Sequence, residues 1–198
     1  MILGSVAAIG QTNIKRLMAY SSISHIGYAL AGLATGTVSG ISATLSYMTI
    51  YVIMKIGAFT CILFFSRDKV YYEDIRDLSG LSKNHPVIAV CFCLILFSLA
   101  GIPPLAGFFA KFYIFKAVVE SKMYLLAIIG LLSSVIAAFY YLRIIKIMYF
   151  DKEEDKFDDI SGLGAKLSLV SSTLIILFYF ILPSFLINLS DIASKVFS

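Results

Sequence analysis

The sequence predicts an all-α membrane protein with five transmembrane helices, an N-terminal half-helix, and one helix broken between Gly101 and Gly107. Composition is the first support for this class. Hydrophobic residues make up 60% of the 198 residues and charged residues 14%, against about 25% charged residues in a soluble domain. The mean hydropathy is +0.92. One soluble core cannot bury that much apolar surface, so the bilayer is the natural place for the excess.

The apolar residues form runs of spanning length, because about 20 helical residues cover the hydrocarbon layer. These runs lie at about 17–36, 41–65, 86–118, 123–149 and 167–189. The third run is too long for one plain span, and it contains Gly-Ile-Pro-Pro at 101–104, which cannot continue as regular helix. We therefore expect a broken helix over roughly 86–101 and 107–119.

The N-terminal residues 1–10 are apolar but too short to span a membrane. They lack the basic segment and the cleavage site of a signal peptide. They are typical of the second half of a helix whose first half lies outside this sequence. We predict that residues 1–198 form a single transmembrane domain, the C-terminal fragment of a larger subunit.

Lys and Arg residues predict the orientation. Eleven of the sixteen belong to one side of the predicted topology, whereas Lys122 and Lys195 belong to the other. The positive-inside rule places the basic side in the cytoplasm. The expected location is the inner (cytoplasmic) membrane of a bacterium, with several passes and a periplasmic C-terminus. The basic side carries Lys15, Arg16, Arg67, Lys69, Arg76, Lys83, Arg143, Lys146, Lys152, Lys156 and Lys166.

Several function classes are excluded by the residue patterns. The net charge of +4 comes from residues at the ends of apolar runs, not from a basic patch with interleaved aromatics, which argues against nucleic-acid binding. Cys61, Cys91 and Cys93 lack the CxxC spacing of redox and zinc sites. No P-loop, dinucleotide fingerprint, haem pair or cluster-binding cysteine set is present. We expect no cofactor and no metal on this chain.

Three ionisable side chains lie inside predicted spans: His25, Lys55 and Lys111. The acidic residues lie in loops or tails, except Glu120 at a span edge. Ionisable groups at membrane depth usually face the bundle interior and mark ion or proton paths. For Lys111 the alternative is a lysine that reaches the headgroups. For Lys55 the alternative is a structural role in which the ammonium pairs with backbone carbonyls. For His25 the alternative is a structural hydrogen bond between two helices.

The surroundings of these groups favour proton transfer. Lys111 follows the predicted break, where freed backbone groups need water or protein partners, and this is the arrangement of a transporter site. His25 suits a relay because imidazole has two nitrogens, and Ser21, Ser22 and Ser24 supply hydroxyls that can hold water. At the end of the fourth span, the expected interfacial anchors are Tyr140, Tyr141 and Arg143.

Two long segments carry a resemblance to a known family. Residues 11–28, Gln-Thr-Asn-Ile-Lys-Arg-Leu-Met-Ala-Tyr-Ser-Ser-Ile-Ser-His-Ile-Gly-Tyr, resemble a signature of the antiporter-like subunits of respiratory complex I. Residues 98–113, Ser-Leu-Ala-Gly-Ile-Pro-Pro-Leu-Ala-Gly-Phe-Phe-Ala-Lys-Phe-Tyr, resemble their broken twelfth helix. Lys111 and the Tyr-Tyr-Leu-Arg at 140–143 are most similar to the subunit N branch, whose mitochondrial counterpart is NADH dehydrogenase subunit 2.

The resemblance covers nearly all of the chain and implies a fourteen-helix fold with two inverted five-helix bundles. This chain would hold the end of helix nine and helices ten to fourteen, beside a central hydrophilic axis along which protons move. His25 would be the relay group of helix ten, and Lys111 would exchange protons with the periplasm. Lys55 matches a helix-eleven position where sister subunits often carry lysine, although subunit N varies there.

The implied function is that of a membrane subunit of proton-pumping NADH-quinone oxidoreductase, a translocase that couples electron transfer from NADH to quinone with proton translocation. NADH, FMN, iron-sulfur clusters and quinone would belong to the complex and not to this chain. The implied partners are the other membrane subunits, the lipid bilayer and the missing N-terminal half, which carries the family's other key charged residues. The alternatives are a subunit of a multi-subunit sodium/proton antiporter and a non-functional membrane remnant.

Overall fold

The computed structural model describes residues 1–67, 70–152, 157, 162–181 and 183–197. The α-helices are α1 (Ile2–Ile9), α2 (Ile14–Leu33), α3 (Val38–Leu63), α4 (Leu81–Asn84), α5 (Pro86–Ala100), α6 (Ala106–Glu120), α7 (Tyr124–Phe150), α8 (Leu163–Phe178) and α9 (Pro183–Ser194). A small antiparallel hairpin pairs β1 (Ser66–Arg67) with β2 (Val70–Tyr71). Short 3-10 turns occupy Ile75–Leu78, Tyr179–Ile181 and Lys195–Phe197.

The expected all-α membrane class is confirmed. Three continuous helical stretches in the described residues are long and apolar enough to cross a membrane: α3, α7 and Leu163–Ile181. Helix α5 is a shorter apolar helix. Much of the outer surface of α7 is formed by exposed aliphatic side chains such as Leu125, Leu132 and Val135, as a lipid-facing surface requires. The count of five spans stays a prediction.

The fifth apolar run differs from the expected single span over 167–189. Helix α8 ends at Phe178, a 3-10 turn covers Tyr179–Ile181, and α9 begins at Pro183. Proline has no backbone N–H and its ring blocks the preceding turn, so it begins a helix more readily than it continues one. The run therefore contains two helices, α8 and α9, instead of one span.

The break in the third run lies where the sequence predicts it. Helix α5 stops at Ala100, and Gly101 adopts a left-handed conformation with a φ of 89°, which glycine tolerates without strain. The Gly101 N–H donates to the Phe97 carbonyl at 3.1 Å, closing the last turn of α5. Helix α6 restarts at Ala106, and the Gly107 N–H donates to Ser98 Oγ at 2.9 Å, which ties the two half-helices together.

Helix α2 begins at a cap that also fastens the loop after β2. Asn13 Oδ1 accepts from the Arg16 N–H at 3.0 Å, as asparagine does at helix N-termini. The Asn13 amide and Lys15 Nζ each donate to a carboxylate oxygen of Glu73, both at 2.7 Å. The loop after β2 is thereby held against the start of α2.

Helix α3 is the centre of the bundle. It contacts α2, α5, α6, α8 and α9, whereas α1 packs against α2 and α7. The buried surfaces of these helices contain serines and threonines as well as apolar side chains. Ser46 Oγ, for example, donates to Ser190 Oγ at 2.8 Å between α3 and α9. The interior is therefore a packed apolar core with a polar seam.

Gly107→Ala should destabilise the bundle by about 1–3 kcal/mol, the usual effect of overpacking. A Cβ at this position would collide with the Ser98 backbone carbonyl, which cannot move without disturbing the end of α5. The measurement is the thermal unfolding midpoint of the purified membrane protein in detergent. Gly164→Ala is the matched control, because a Cβ there meets open space. Equal midpoints for the two variants would contradict this packing.

Acidification should release the loop after β2 from α2. Hydrogen bonds from Lys15 and Asn13 lower the pKa of Glu73 below its usual value. Because the pKa of Glu73 is lower in the folded state, the stabilisation that its carboxylate gives to the loop is complete above the unfolded pKa of about 4.3. This stabilisation is lost as the pH falls through the lower folded-state pKa. Hydrogen exchange of residues 70–80 should accelerate in that window. Glu73→Gln should show no such step, and a step of equal size in that variant would contradict the assignment.

Candidate functional site

His25 lies at the centre of a cluster of tyrosines and is completely buried. Its Nδ1 shares a hydrogen bond with the Tyr47 hydroxyl at 2.7 Å, and its Nε2 shares one with the Tyr141 hydroxyl at 3.3 Å. The Tyr51 ring stacks on the imidazole with ring centroids 5.0 Å apart. A tyrosine hydroxyl can donate or accept, so both tautomers of His25 fit this site.

Lys55 connects to His25 through hydroxyl groups. It is 8% exposed, and its Nζ donates to the Met18 carbonyl at 3.0 Å and to Ser21 Oγ at 3.4 Å. Ser21 in turn forms a short hydrogen bond with the Tyr141 hydroxyl. Met18, Ser21 and His25 share one face of α2 because they are three and four residues apart.

These contacts form one continuous chain of hydrogen bonds, which we call the His25 network. It brings together α2, α3 and α7. Its members are Lys55, Ser21, Tyr141, His25 and Tyr47. The hydrogen-bond partners of the imidazole and of the ammonium within this network are all uncharged groups.

Lys111 lies against the end of α5 inside the bundle. It is 6% exposed, so its side chain does not project from the bundle surface. Its Nζ donates to the carbonyls of Leu99 and Ala100, both at 3.0 Å, and to Ser134 Oγ at 2.9 Å. The last carbonyls of a helix have no partner within it, so the break supplies these acceptors. Three acceptors match the three N–H donors of an ammonium group.

Gly101 leaves the space that Lys111 occupies. A Cβ at Gly101 would lie 3.1 Å from the Lys111 Cδ and 3.3 Å from its Nζ. Glycine therefore serves two purposes here: it allows the left-handed turn that ends α5, and it admits the lysine side chain against the turn.

The structure places His25 and Lys55 in one network and leaves Lys111 outside it. Within the described residues, the Tyr28 ring is what lies between Lys111 and the network. Lys111 Nζ lies 5.2 Å from the centroid of the Tyr28 ring, and the Tyr28 and His25 ring centroids are 5.8 Å apart in an edge-on arrangement. The salt bridges found in the described part of the chain involve neither Lys55 nor Lys111. The proton-transfer roles of the three residues stay predictions.

The prediction that Tyr140 and Tyr141 are interfacial anchors is wrong. Both tyrosines are completely buried, and Tyr141 bonds to the His25 network. The reason is that they lie on the face of α7 that packs against other helices, at a depth where α2 presents Ser21. Arg143 also turns inward, because its Nη1 donates to the Ile9 carbonyl at 3.3 Å, at the end of α1.

The sequence interpretation overlooked the tyrosines of α3, although a signal was present. Tyr47, Tyr51 and Lys55 are four residues apart in succession, a spacing that places them on one helix face. Lys55 Nζ lies 5.6 Å from the Tyr51 ring centroid, in the range of a cation–π contact. A lysine that shares a helix face with two tyrosines is expected to point into the bundle and not toward lipid.

Among the residues that the structure describes, His, Cys, Asp and Glu side chains form no group of three that could hold a metal ion. The described contacts of the His25 network and Lys111 use hydroxyl, imidazole, ammonium and carbonyl groups. Of these groups, hydroxyls and a neutral imidazole both donate and accept hydrogen bonds, the ammonium only donates, and the carbonyls only accept.

Comparison with known proteins agrees with this geometry. The sequence model of a family described as NADH:quinone oxidoreductase/Mrp antiporter, TM, matches residues 1–137. The NADH-quinone oxidoreductase subunit N of Pelagibacter ubique (strain HTCC1062) is 62% identical over 196 residues, which cover 99% of this chain and 41% of that protein. The chain therefore spans about two fifths of the length of such a relative.

Two solved structures share the fold. A chain of respiratory complex I from Thermus thermophilus with bound aureothin matches with a TM-score of 0.83 and 29% identity, over 94% of this chain and 42% of that chain. A chain of the Mrp complex from Dietzia sp. DQ12-45-1b also matches with a TM-score of 0.83, over 98% of this chain and 44% of that chain. Its identity is 22%, so this second likeness concerns the fold alone.

Tyr141→Phe should destabilise the bundle by about 1–3 kcal/mol, because it leaves Ser21 and His25 Nε2 buried without a common partner. The thermal unfolding midpoint in detergent measures this change. Tyr124→Phe is the control, since Tyr124 is 58% exposed at the start of the same helix. A midpoint for Tyr141→Phe equal to that of the control would show that the hydroxyl contributes nothing.

Proposed function

Because this chain belongs to the NADH:quinone oxidoreductase/Mrp antiporter transmembrane family, we propose that it is part of a proton-pumping NADH-quinone oxidoreductase. Its role is to contribute to proton translocation that is coupled to electron transfer from NADH to quinone. The observation that carries the proposal is the burial of His25, Lys55 and Lys111 among neutral hydrogen-bonding partners inside the helical bundle.

The proposed route begins at Lys55. An ammonium proton passes from Lys55 Nζ to Ser21 Oγ while the serine proton passes to the Tyr141 hydroxyl, so that each oxygen gains one proton as it loses another. The Tyr141 proton then reaches His25 Nε2, so that Lys55 has lost one proton and His25 has become an imidazolium held between Tyr141 and Tyr47. The distances within the network, 2.7–3.4 Å where they are hydrogen bonds of ordinary length, support such a relay.

The positions of the two lysines support a direction. Lys55 is eight residues from the end of α3, or about 12 Å at 1.5 Å per residue, on the side that carries most of the Lys and Arg residues. Lys111 is nine residues from the end of α6, on the opposite side. With the basic side in the cytoplasm, protons enter near Lys55 and leave near Lys111 toward the periplasm. The C-terminus would then be periplasmic.

Electrostatic coupling would drive the transfer. Lys55 is linked to His25 through Ser21 and Tyr141, and Lys111 contacts the Tyr28 ring, which borders His25. With neutral partners around them, the fields of the two lysines would be weakly screened in a low-dielectric interior. A change of charge at one lysine therefore alters the proton affinity of the imidazole. In the complex, quinone reduction elsewhere would set the charge of the first group, and the change would pass along the network.

The residues of this chain indicate which part of the reaction it would serve in the complex. The chain supplies ion-moving groups, and the redox groups of a complex I would be held by other subunits, so this chain acts as a translocase subunit without a redox site. Since it spans about two fifths of its relatives, we propose that the segment corresponding to their N-terminal part completes the channel. Other membrane subunits of the complex would be further partners, in a bacterial inner membrane.

A multi-subunit sodium/proton antiporter remains the second candidate, because the family and the fold include Mrp proteins. Sodium dependence separates the two. Proton translocation that follows NADH oxidation and does not change with sodium concentration supports the first candidate. Sodium-dependent proton exchange without electron transfer supports the second. A chain that is expressed but never co-purifies with membrane partners would indicate a remnant without function.

Lys111→Ala should lower proton translocation by about tenfold or more, because a relay group that accepts and donates protons contributes at least that much. The measurement is proton uptake per electron transferred by the intact complex in proteoliposomes. Lys116→Ala is the control: Lys116 lies on the same helix, its side chain is 57% exposed, and it forms an ion pair with Glu120 four residues away. Normal stoichiometry in Lys111→Ala would refute the proposed route.

A further inference from the structure

We propose that the bundle binds a phospholipid with a primary ammonium headgroup, phosphatidylethanolamine, in a groove between α3, α6 and α9. Two cavities in this groove carry the inference: one is polar and lies near the ends of the helices, and the other is apolar and lies deeper in the bundle. The residues that line them are not members of the His25 network, and the inference does not depend on the proposed proton translocation.

The polar cavity has a volume of about 200 Å³ and lies where α3 begins and α6 ends. Lys116 and Glu120 in its wall form an ion pair at 3.8 Å, so their charges offset each other. Asp191 accepts a hydrogen bond from Ser42 and takes part in none of the ion pairs of the described residues. A ligand with a positive charge therefore fits this end of the groove. The polar lining includes Ser39, Ser42, Ser46, Lys116, Glu120 and Asp191.

The apolar cavity has a volume of about 170 Å³ and lies further along the same helices. A cavity of about 150 Å³ that is lined by apolar side chains stays dry and can bind benzene, so this one has room for a segment of an acyl chain. The two cavities therefore match the polar and the apolar end of a lipid. The lining of the apolar cavity includes Thr49, Ile50, Ile53, Ile176, Tyr179 and Leu186.

One face of α3 connects the two cavities. At steps of three and four residues, which keep side chains on one side of a helix, this face carries Ser39, Ser42, Ser46, Thr49 and Ile53. Ile53 is fourteen residues after Ser39, or about 21 Å along the axis. Half of the hydrocarbon layer is about 15 Å thick, and the headgroup of a lipid adds to that length. The face is therefore long enough for one phospholipid of a single leaflet.

A buried hydroxyl gives a second, independent indication of a ligand. Tyr179 lines the apolar cavity and is 9% exposed, and its hydroxyl has no hydrogen-bond partner among the described residues. Its ring centroid lies 6.0 Å from that of Phe109, which is one helical turn before Tyr113 in the wall of the polar cavity. Tyr179 thus lies near the boundary between the cavities, where a lipid has its ester carbonyls. An ester carbonyl would accept the hydrogen bond that this tyrosine lacks.

The polar cavity distinguishes between headgroups by charge and by hydrogen bonding. A primary ammonium has three N–H donors, so it can bind the Asp191 carboxylate. A choline headgroup has no N–H to donate. A glycerol headgroup has no positive charge and would bring the negative phosphate near Asp191 without compensation. The phosphate of phosphatidylethanolamine would lie at the start of α3, where the helix dipole favours an anion.

The test uses the intact complex in phosphatidylcholine vesicles that contain a small fraction of phosphatidylethanolamine with a photoreactive group in its acyl chain. After illumination, mass spectrometry should find the label on peptides that contain Ile53 and Leu186. Unlabelled phosphatidylethanolamine should displace this label, whereas the same concentration of phosphatidylglycerol should not. Label on Leu132, an exposed residue of α7, reports ordinary lipid contact and should respond equally to both lipids. Equal displacement from the groove would overturn the headgroup assignment.

Two substitutions test the two ends of the site. Asp191→Asn removes the charge but keeps an acceptor for Ser42, and it should lower the labelling of the groove by about tenfold or more, as expected for one lost hydrogen bond to a charged group. Asp151→Asn, at the far end of α7, should leave the labelling unchanged. Ile53→Phe fills the apolar cavity and should also lower the labelling. Val52→Phe adds the same ring at an exposed position of α3 and is its control.

The competition between unlabelled lipids uses the native chain, so it decides the question even if a variant fails to assemble. Absence of label from the groove would overturn the site, and so would labelling that neither Asp191→Asn nor Ile53→Phe changes. A structure of the complex in which a helix of a partner subunit fills the groove would overturn it as well. All these measurements report lipid contact. Normal pumping in Lys111→Ala would therefore refute the proton route without affecting the lipid site.

Discussion

Polar groups at membrane depth have only the protein to satisfy them, and this constraint shapes the bundle. Lys111 depends on the carbonyls of Leu99 and Ala100, which are free only because α5 ends there. Lys55 depends on the Met18 carbonyl. In lipid these groups would have no partner, so the helices that carry them must pack with their polar faces together. The break at Gly101 is thus a requirement of the site as well as a local effect of glycine and proline.

The central position of α3 follows from the same constraint. Tyr47, Tyr51 and Lys55 on one face turn toward α2. Ser42 and Ser46 approach α9, where Ser42 donates a hydrogen bond to the Asp191 carboxylate. A helix with polar groups on two faces cannot present either of them to lipid, so both faces pack against neighbours, while an apolar face with Val52, Ile56 and Phe59 stays exposed.

Much of the fold and of the candidate site could be predicted from the sequence, because the patterns that indicate them lie within single segments. The apolar composition, the Gly-Ile-Pro-Pro break and the inward position of Lys111 follow from single segments. The inward position of Tyr140 and Tyr141 could not be found in that way: the apolar residues of α7 are not segregated to one face, so no periodicity distinguishes the packed side from the lipid side. The position of Asp191 on a helix that packs against α3 could not be predicted either, because this contact joins segments that are distant in the sequence.

The absence of a carboxylate beside Lys55 and Lys111 in the described contacts has an electrical consequence. In the proposed proton translocation, two ammonium groups along the route would make the protonation of the bundle sensitive to the membrane potential, since moving one elementary charge across 100 mV involves about 2.3 kcal/mol. A steep potential would then oppose proton transfer toward the periplasmic side. The voltage that such translocation builds would act back on the occupancy of the two lysines and slow further transfer.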